Sequence, residues 1–239
     1  MNLVTAARKL VEDVKPLEFG SPVAYVYNPL VYARVGYEQY VECFGKGRRE
    51  VALLGMNPGP WGMAQTGVPF GVVTFVRDWM KIEAPIGKPE KEHPKRPVTG
   101  FDCPRLEVSG KRFWGWAKER FGPPENFFKR FFVLNYCPLA FLEESGRNRT
   151  PDKLGKEERA PLFEACDRHL RQAIDHLEPR FVIGIGKFAE KRAREALGGE
   201  SGNYKISSIL HPSPANPKAG SDWGRKIEKN LKLLGIRFP

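Results

Sequence analysis

Four short apolar runs punctuate the chain, at Val51–Leu54, Phe131–Leu134, Phe181–Ile185 and Ile206–Leu210, and each reads as a buried strand. Around them the apolar spacing is helical. Leu3, Ala7, Leu10 and Val14 share one face of a helix over Asn2–Val14 that would cover the sheet. Leu162, Cys166, Leu170, Ala173 and Leu177 recur at steps of three and four through Glu157–Leu177, and Lys187–Leu197 is Ala-rich and stops at Gly198-Gly199. A last helix follows Ser221, a residue type suited to an N-cap, and buries Ile227, Leu231 and Leu234. Strands alternating with helices imply an α/β fold: a three-layer α/β/α sandwich with right-handed crossovers around a central, four-stranded, mainly parallel sheet. No internal repeat or boundary interrupts the pattern, so residues 1–239 are expected to form a single domain.

Two stretches fall outside this scheme. Gly55–Gly71 and Lys81–Ser109 are dense in Gly and Pro, and loops of that length inside a compact domain are usually functional or mobile.

Length and composition fit that scheme: 239 residues suffice for one α/β domain with a large core, and 41% hydrophobic with 12% aromatic residues is the make-up of a folded protein. Charge adds more. Lys and Arg outnumber Asp and Glu by 39 to 28, a net +11 that attracts polyanions, with nucleic acid the leading partner and a merely solvated basic surface the alternative. Cys43, Cys103, Cys137 and Cys166 lie far apart and form no C-x-x-C pair, which gives metal or iron–sulfur ligation little support and suggests reduced thiols in an intracellular protein. No apolar run approaches the ~20 residues of a membrane span, and Arg8, Lys9, Glu12 and Asp13 interrupt the N-terminus before a signal-peptide core forms. The expectation is a soluble, unexported protein.

In open parallel sheets ligands bind beyond the carboxyl ends of the strands, and three of the four strands lead into polar residues there. The first runs into Gly55-Met56-Asn57-Pro58-Gly59-Pro60, the second into Asn135-Tyr136-Cys137-Pro138, and the fourth into His211-Pro212-Ser213-Pro214. Each has an ordinary explanation alone, as a turn cap or a hydrogen-bonded structural histidine. Together they place two amides and an imidazole at one end of one sheet, where they could share a cleft.

These residues also carry a resemblance. The run from Gly55 through Asn57-Pro58-Gly59-Pro60-Trp61-Gly62-Met63-Ala64-Gln65-Thr66-Gly67-Val68-Pro69-Phe70 to Gly71 closely resembles the first motif of single-strand-selective monofunctional uracil-DNA glycosylases. His211-Pro212-Ser213-Pro214-Ala215-Asn216-Pro217 is similar to their second motif. Glu92-His93-Pro94-Lys95-Arg96-Pro97, Cys137-Pro138-Leu139 and Ser145-Gly146-Arg147-Asn148 lie between them in matching order, so that the resemblance runs from about Tyr27 to Leu234. It implies a uracil-DNA glycosylase-like fold.

The resemblance implies roles that physical chemistry can check. Asn135 would read the flipped base, its amide matching the N3–H and O4 edge of uracil and rejecting the reversed pattern of cytosine. Phe70 would stack under the ring, and Met56 and Met63 would line the pocket. His211 would donate to O2 as negative charge gathers on the departing base. Asn57 stands where the fastest uracil glycosylases resemble this motif but carry Asp; an amide cannot act as a carboxylate base, so the bond is expected to break first and a water held by Asn57 to add afterwards. No motif lysine is placed to attack the sugar, which implies a monofunctional enzyme.

Gly59 takes the place of a bulky Tyr that excludes the thymine methyl in strict uracil enzymes. The expected consequence is room beside C5, filled by ordered water that a hydroxymethyl or formyl group can replace and a methyl cannot. Pro212, Ser213, Pro214, Ala215, Asn216 and Lys218 are expected to meet DNA, with Pro214–Gly220 inserting into the duplex. Some relatives carry Arg where this chain has Ala215, which weakens that wedge. Lys95, Arg96, Lys111 and Arg112 are candidate phosphate contacts or solvated charges.

The sequence therefore predicts excision of uracil, 5-hydroxymethyluracil and 5-formyluracil from single- and double-stranded DNA by an intracellular monomer, with no metal, cofactor or membrane. Three alternatives stay open: a glycosylase of the same fold preferring deaminated purines (xanthine, hypoxanthine), a non-catalytic nucleic-acid-binding protein, and a metal-dependent nuclease, for which no carboxylates cluster near the motif loops.

Overall fold

The structure, a computed structural model, describes residues 1–199 and 204–238. Its first helix, α1 (Leu3–Val14), begins where the Asn2 side chain accepts the Thr5 N–H at 2.8 Å, satisfying one of the free donors of the first turn. There follow β1 (Tyr25–Tyr27), α2 (Pro29–Tyr32), α3 (Arg34–Phe44), β2 (Val51–Gly55) and a single turn, α4 (Met63–Thr66). The middle of the chain supplies α5 (Val108–Phe121), α6 (Pro124–Phe128), β3 (Phe131–Asn135), β4 (Ala140–Leu142) and β5 (Asn148–Arg149). The last third alternates α7 (Lys156–Leu177), β6 (Phe181–Ile185), α8 (Lys187–Ala196), β7 (Lys205–Ile209) and α9 (Trp223–Leu233).

All four apolar runs are strands of one sheet. Its order is β3-β2-β6-β7 and every pairing is parallel, with Gly55 level with Asn135 at the carboxyl end. The residues of β2 and β6 are buried throughout, as continuous apolar runs between two helical layers require. Helices α1, α7 and α8 pack together, with α8 against β2, β6 and β7; α5 packs with α6 and α9, which lie against β3 and β7. The helix Asn2–Val14, expected to cover the sheet, instead packs chiefly on α7. An aromatic cluster of Phe113, Trp114, Phe121, Phe127, Phe128 and Phe131 fills the α5–α6 side.

The apolar pattern misses three features. A small antiparallel sheet, β1-β4-β5, has strands of two or three residues, too short for periodicity to register. Helix α5 begins at Val108, inside the stretch read as loop to Ser109. The final helix is capped not by Ser221 but at Asp222, whose carboxylate pairs with Lys226 at 2.9 Å.

Candidate active site

The carboxyl ends of β2 and β3 are tied into one frame beyond the sheet. Tyr136 N–H donates to Gly55 O at 3.0 Å and Cys137 N–H to Met56 O at 2.9 Å, so the strand ladder continues into both loops. This fixes Asn135 opposite Gly55. A side chain on Gly55 would collide with Asn135 Oδ1 and come within 2.8 Å of Phe70 Cε2, so the glycine lets an amide and a ring share the space above the strand end.

Asn135 is poorly satisfied there. Its Oδ1 is buried without a partner and its Nδ2 reaches only the Met63 sulfur, at 3.2 Å, a weak acceptor. Leaving a buried amide in that condition costs about 1–3 kcal/mol, which is expected of a group kept for a ligand. Phe70 lies next to it on a backbone turned to φ +55°, a conformation uncommon for a bulky residue. The ring stacks on Phe113 at 5.2 Å and 22°, and lies 6.2 Å from the imidazole of His211.

His211 sits just beyond β7. Its Nδ1 accepts the Ser213 N–H at 3.1 Å, which places the hydrogen of the neutral ring on Nε2, and burial lowers its pKa from 6.5 to about 4. The imidazole is therefore neutral near pH 7 and offers one donor. The loop holding it is strapped from three sides: Arg112 donates to Pro212 O at 2.9 Å, Asn216 to His211 O at 3.1 Å, and Trp223 Nε1 to Leu210 O at 2.8 Å. Asn57 completes the set. Its Nδ2 donates to Leu139 O at 3.1 Å, leaving Oδ1 as an acceptor.

The other expected residues divide. Met63 is buried against Asn135 and Met56 is half-buried at the end of β2. Pro214, Ala215 and Lys218 are exposed on the outer turn, while Pro212 is buried and Ser213 and Asn216 spend their side-chain oxygens on the Ala215 and Lys218 N–H groups. Within Glu92–Pro97, His93 is a scaffold residue, buried and bonded to Lys95 N–H and Glu144 O. Arg96 and Arg105 lie over the Trp61 ring, at 5.4 and 4.5 Å. Lys111, Arg112 and Arg225 line a groove between α5 and the start of α9. Lys95 is exposed.

The room expected beside Gly59 is occupied. A side chain on Gly59 would run into Glu107 Oε2, and one on Gly62 would come within 2.6 Å of the same atom. Sequence reasoning passed over Glu107, Phe113 and the packing role of Gly55, because none of them lies in a periodic pattern with a chemical meaning of its own. The one signal was the unusual length of the loop that ends at Glu107.

The profile of the Uracil DNA glycosylase superfamily matches residues 44–232. The chain belongs to that superfamily. As superfamily relatives, the proteins named single-strand selective monofunctional uracil DNA glycosylase from Mus musculus and Bos taurus are 46% and 45% identical over 228 residues, which is 95% of this chain and 82% and 84% of theirs. The crystal structure of SMUG2 from Pedobacter heparinus superposes with a TM-score of 0.67 over 97% of this chain and 99% of that one, at 17% identity, and supports the glycosylase fold. Membership makes DNA the substrate and base excision repair the setting. Among the described residues, no group of three or more His, Cys, Asp or Glu side chains could hold a metal ion, and no helix is long and apolar enough to cross a membrane.

Proposed function

We propose that this glycosylase flips uracil and C5-oxidised uracils out of single- and double-stranded DNA and hydrolyses the glycosidic bond, leaving an abasic site. The observation that carries the reading is the unpartnered amide of Asn135. Uracil supplies what it lacks: N3–H donates to Oδ1, and Nδ2 trades a sulfur for O4. The ring then lies on Phe70.

The chemistry follows from the other two groups. As the bond to the sugar lengthens, charge gathers on O2, and the neutral His211 donates from Nε2 to it; a contact that strengthens towards the transition state lowers the barrier. Asn57, its Nδ2 held by Leu139 O, keeps Oδ1 for a water that adds to the oxocarbenium-like sugar. An amide cannot remove that water's proton in advance, so departure precedes attack. Asn57 and His211, the two groups assigned to the sugar and the departing base, carry no amine, which favours hydrolysis over a Schiff base.

The exposed turn around Pro214, Ala215 and Lys218 would fill the gap left by the flipped base, with Lys111 and Arg225 on the flanking phosphates. The enzyme would act as a single domain and a monomer, inside the cell where DNA lies. The test is release of base from single-stranded oligonucleotides carrying uracil, 5-hydroxymethyluracil, thymine, xanthine or hypoxanthine, with EDTA present and alkali added to reveal abasic sites. Release of the first two with thymine intact is expected. Release of purines alone would move the function to another base, and no release at all would leave a DNA-binding protein.

A further inference from the structure

Glu107 stands at the N-cap position of α5, where the shorter Ser, Thr, Asp or Asn is the usual cap, and its side chain makes no bond to the first turn. Glu107 O accepts the Lys111 N–H at 2.9 Å, the first backbone bond of the helix, and the carboxyl turns towards the first motif loop. There it fills the space beside Gly59 and Gly62, one residue before the Met63 that touches Asn135. Both glycines are needed to admit it. Its Oε2 is buried without a partner. Two acceptors are thus orphaned in this part of the molecule: one on Asn135, which the Watson–Crick edge of uracil would satisfy, and one on Glu107, beside the first motif loop whose Met63 touches Asn135.

We propose that Glu107 is the residue that sets discrimination at C5 of the flipped base, its free oxygen bonding a C5 hydroxymethyl or formyl group, or the water that replaces it over uracil, and being left bare by the methyl of thymine. The inference rests on the reading of this pocket as the seat of a flipped uracil. It assigns to one carboxyl the part that a bulky ring plays in strict uracil enzymes. A methyl group would enclose a polar oxygen with nothing to bond it, and a site built around a hydrogen bond rejects the analogue that lacks it far more strongly than a hydrophobic wall rejects one methyl.

The protonation state of Glu107 gives the assignment a signature. Burial raises its pKa from 4.5 to about 7, and burial is the only influence on it: Arg96 and Arg105 lie over Trp61, Arg112 is tied to Pro212 O, and Lys111 is exposed. Below pH 7 the neutral acid donates to a formyl oxygen. Above it the carboxylate only accepts, which a hydroxymethyl group can answer and a formyl group cannot.

The experiment compares wild type, Glu107→Gln, Glu107→Ala and Gly59→Ala on single-stranded oligonucleotides carrying uracil, 5-hydroxymethyluracil, 5-formyluracil or thymine, between pH 5.5 and 8.5. Ratios of kcat/KM between substrates on one preparation do not depend on the folded fraction. In the wild type the formyl-to-hydroxymethyl ratio is expected to fall as pH rises through about 7, by more than in Glu107→Gln, which corrects for titration of the bases themselves. Glu107→Ala is expected to lower the hydroxymethyl-to-uracil ratio about tenfold and to begin releasing thymine. Gly59→Ala, which evicts the carboxyl, should lower the same ratio. Uracil release by the wild type with identical ratios and pH profiles in all four proteins would overturn the role of Glu107 alone. No uracil release by the wild type would remove the reading of the pocket and this inference with it.

Discussion

Asn135 and Tyr136 are neighbours in the chain, and their polar groups meet opposite conditions inside the protein. Tyr136 OH donates to Asp167 at 2.6 Å and accepts from Arg192 Nε at 2.9 Å, while Arg192 Nη2 grips both oxygens of Asp167 at 2.7 and 2.6 Å and its guanidinium lies 4.3 Å from the Phe163 ring. Asn135 has a buried oxygen with no partner and a nitrogen facing sulfur. One side of the β3 end is a closed polar network. The other leaves a buried amide largely unsatisfied. A satisfied buried network holds a fold together, whereas an unsatisfied one weakens it and persists where something outside the chain completes it.

The contrast is broken most severely from the closed side. Asp167→Ala would take from Arg192 the carboxylate that binds it through both oxygens, leaving it Glu195, and from Tyr136 OH its shorter acceptor, leaving it Phe163 O at 3.2 Å, a loss on the order of 3 kcal/mol for charged, largely buried hydrogen bonds. Urea unfolding should show that fall, while uracil release per folded molecule stays near the wild-type value. A fall below about 1 kcal/mol would mean that the network does not bear on stability as its geometry implies.

From the open side the expectation is reversed. His211→Ala should lower the excision rate by about 10²–10³-fold with oligonucleotide binding largely kept, the usual loss when one transition-state donor is removed. Asn135→Ala should lower kcat/KM for uracil by at least about 10²-fold with no fall in unfolding midpoint, since it removes a buried acceptor that lacks a partner. Full activity in either variant refutes its assigned role.

How legible these two sides were differs. The four strands, the parallel sheet and the long helices declare themselves through apolar spacing, because burial on two faces imposes that spacing directly. Asn57, Asn135 and His211 were legible as polar residues at strand ends, and Phe70 through its place in the motif. Glu107 was not. Its significance depends on Gly59 and Gly62, some 50 residues earlier, leaving space for it, and no local pattern records such a pairing. The Tyr136–Asp167–Arg192 network escaped for the same reason. Arg112 illustrates a further limit: a charge that reads as a phosphate contact donates to Pro212 O and helps hold the loop of His211.

A smaller change probes how tightly the open side is built. Gly55→Ala would push a methyl into Asn135 Oδ1 and the edge of Phe70, so overpacking of about 1–3 kcal/mol must be relieved by moving one of them. Uracil release should fall about tenfold or more with a modest loss of stability. Unchanged activity would mean that the pocket tolerates looser geometry than its close contacts suggest.

The smallest expected effect lies in acid stability, where the orphaned carboxyl opposes two histidines. His211 and His169 are both lowered by burial from 6.5 to about 4, so the unfolded chain takes up their protons first and stability falls as pH drops from about 6.5 towards 4. Glu107, raised by burial from 4.5 to about 7, takes its proton first in the folded state, so stability rises as pH drops from 7 towards 4.5. Each proton is worth about 1.4 kcal/mol per pH unit, and between pH 6.5 and 5 two unfavourable uptakes are set against one favourable one. Glu228, held below the usual carboxylate range by its hydrogen bond from Arg120, is still ionised in that window and does not blur it. Glu107→Gln removes the opposing proton and should roughly double the slope of unfolding free energy with pH, while raising stability at pH 8, where the wild type buries a carboxylate. Equal slopes in urea titrations at pH 6.5, 5.75 and 5 would show that Glu107 carries no shifted proton, and the open side of the comparison would then rest on Asn135 alone.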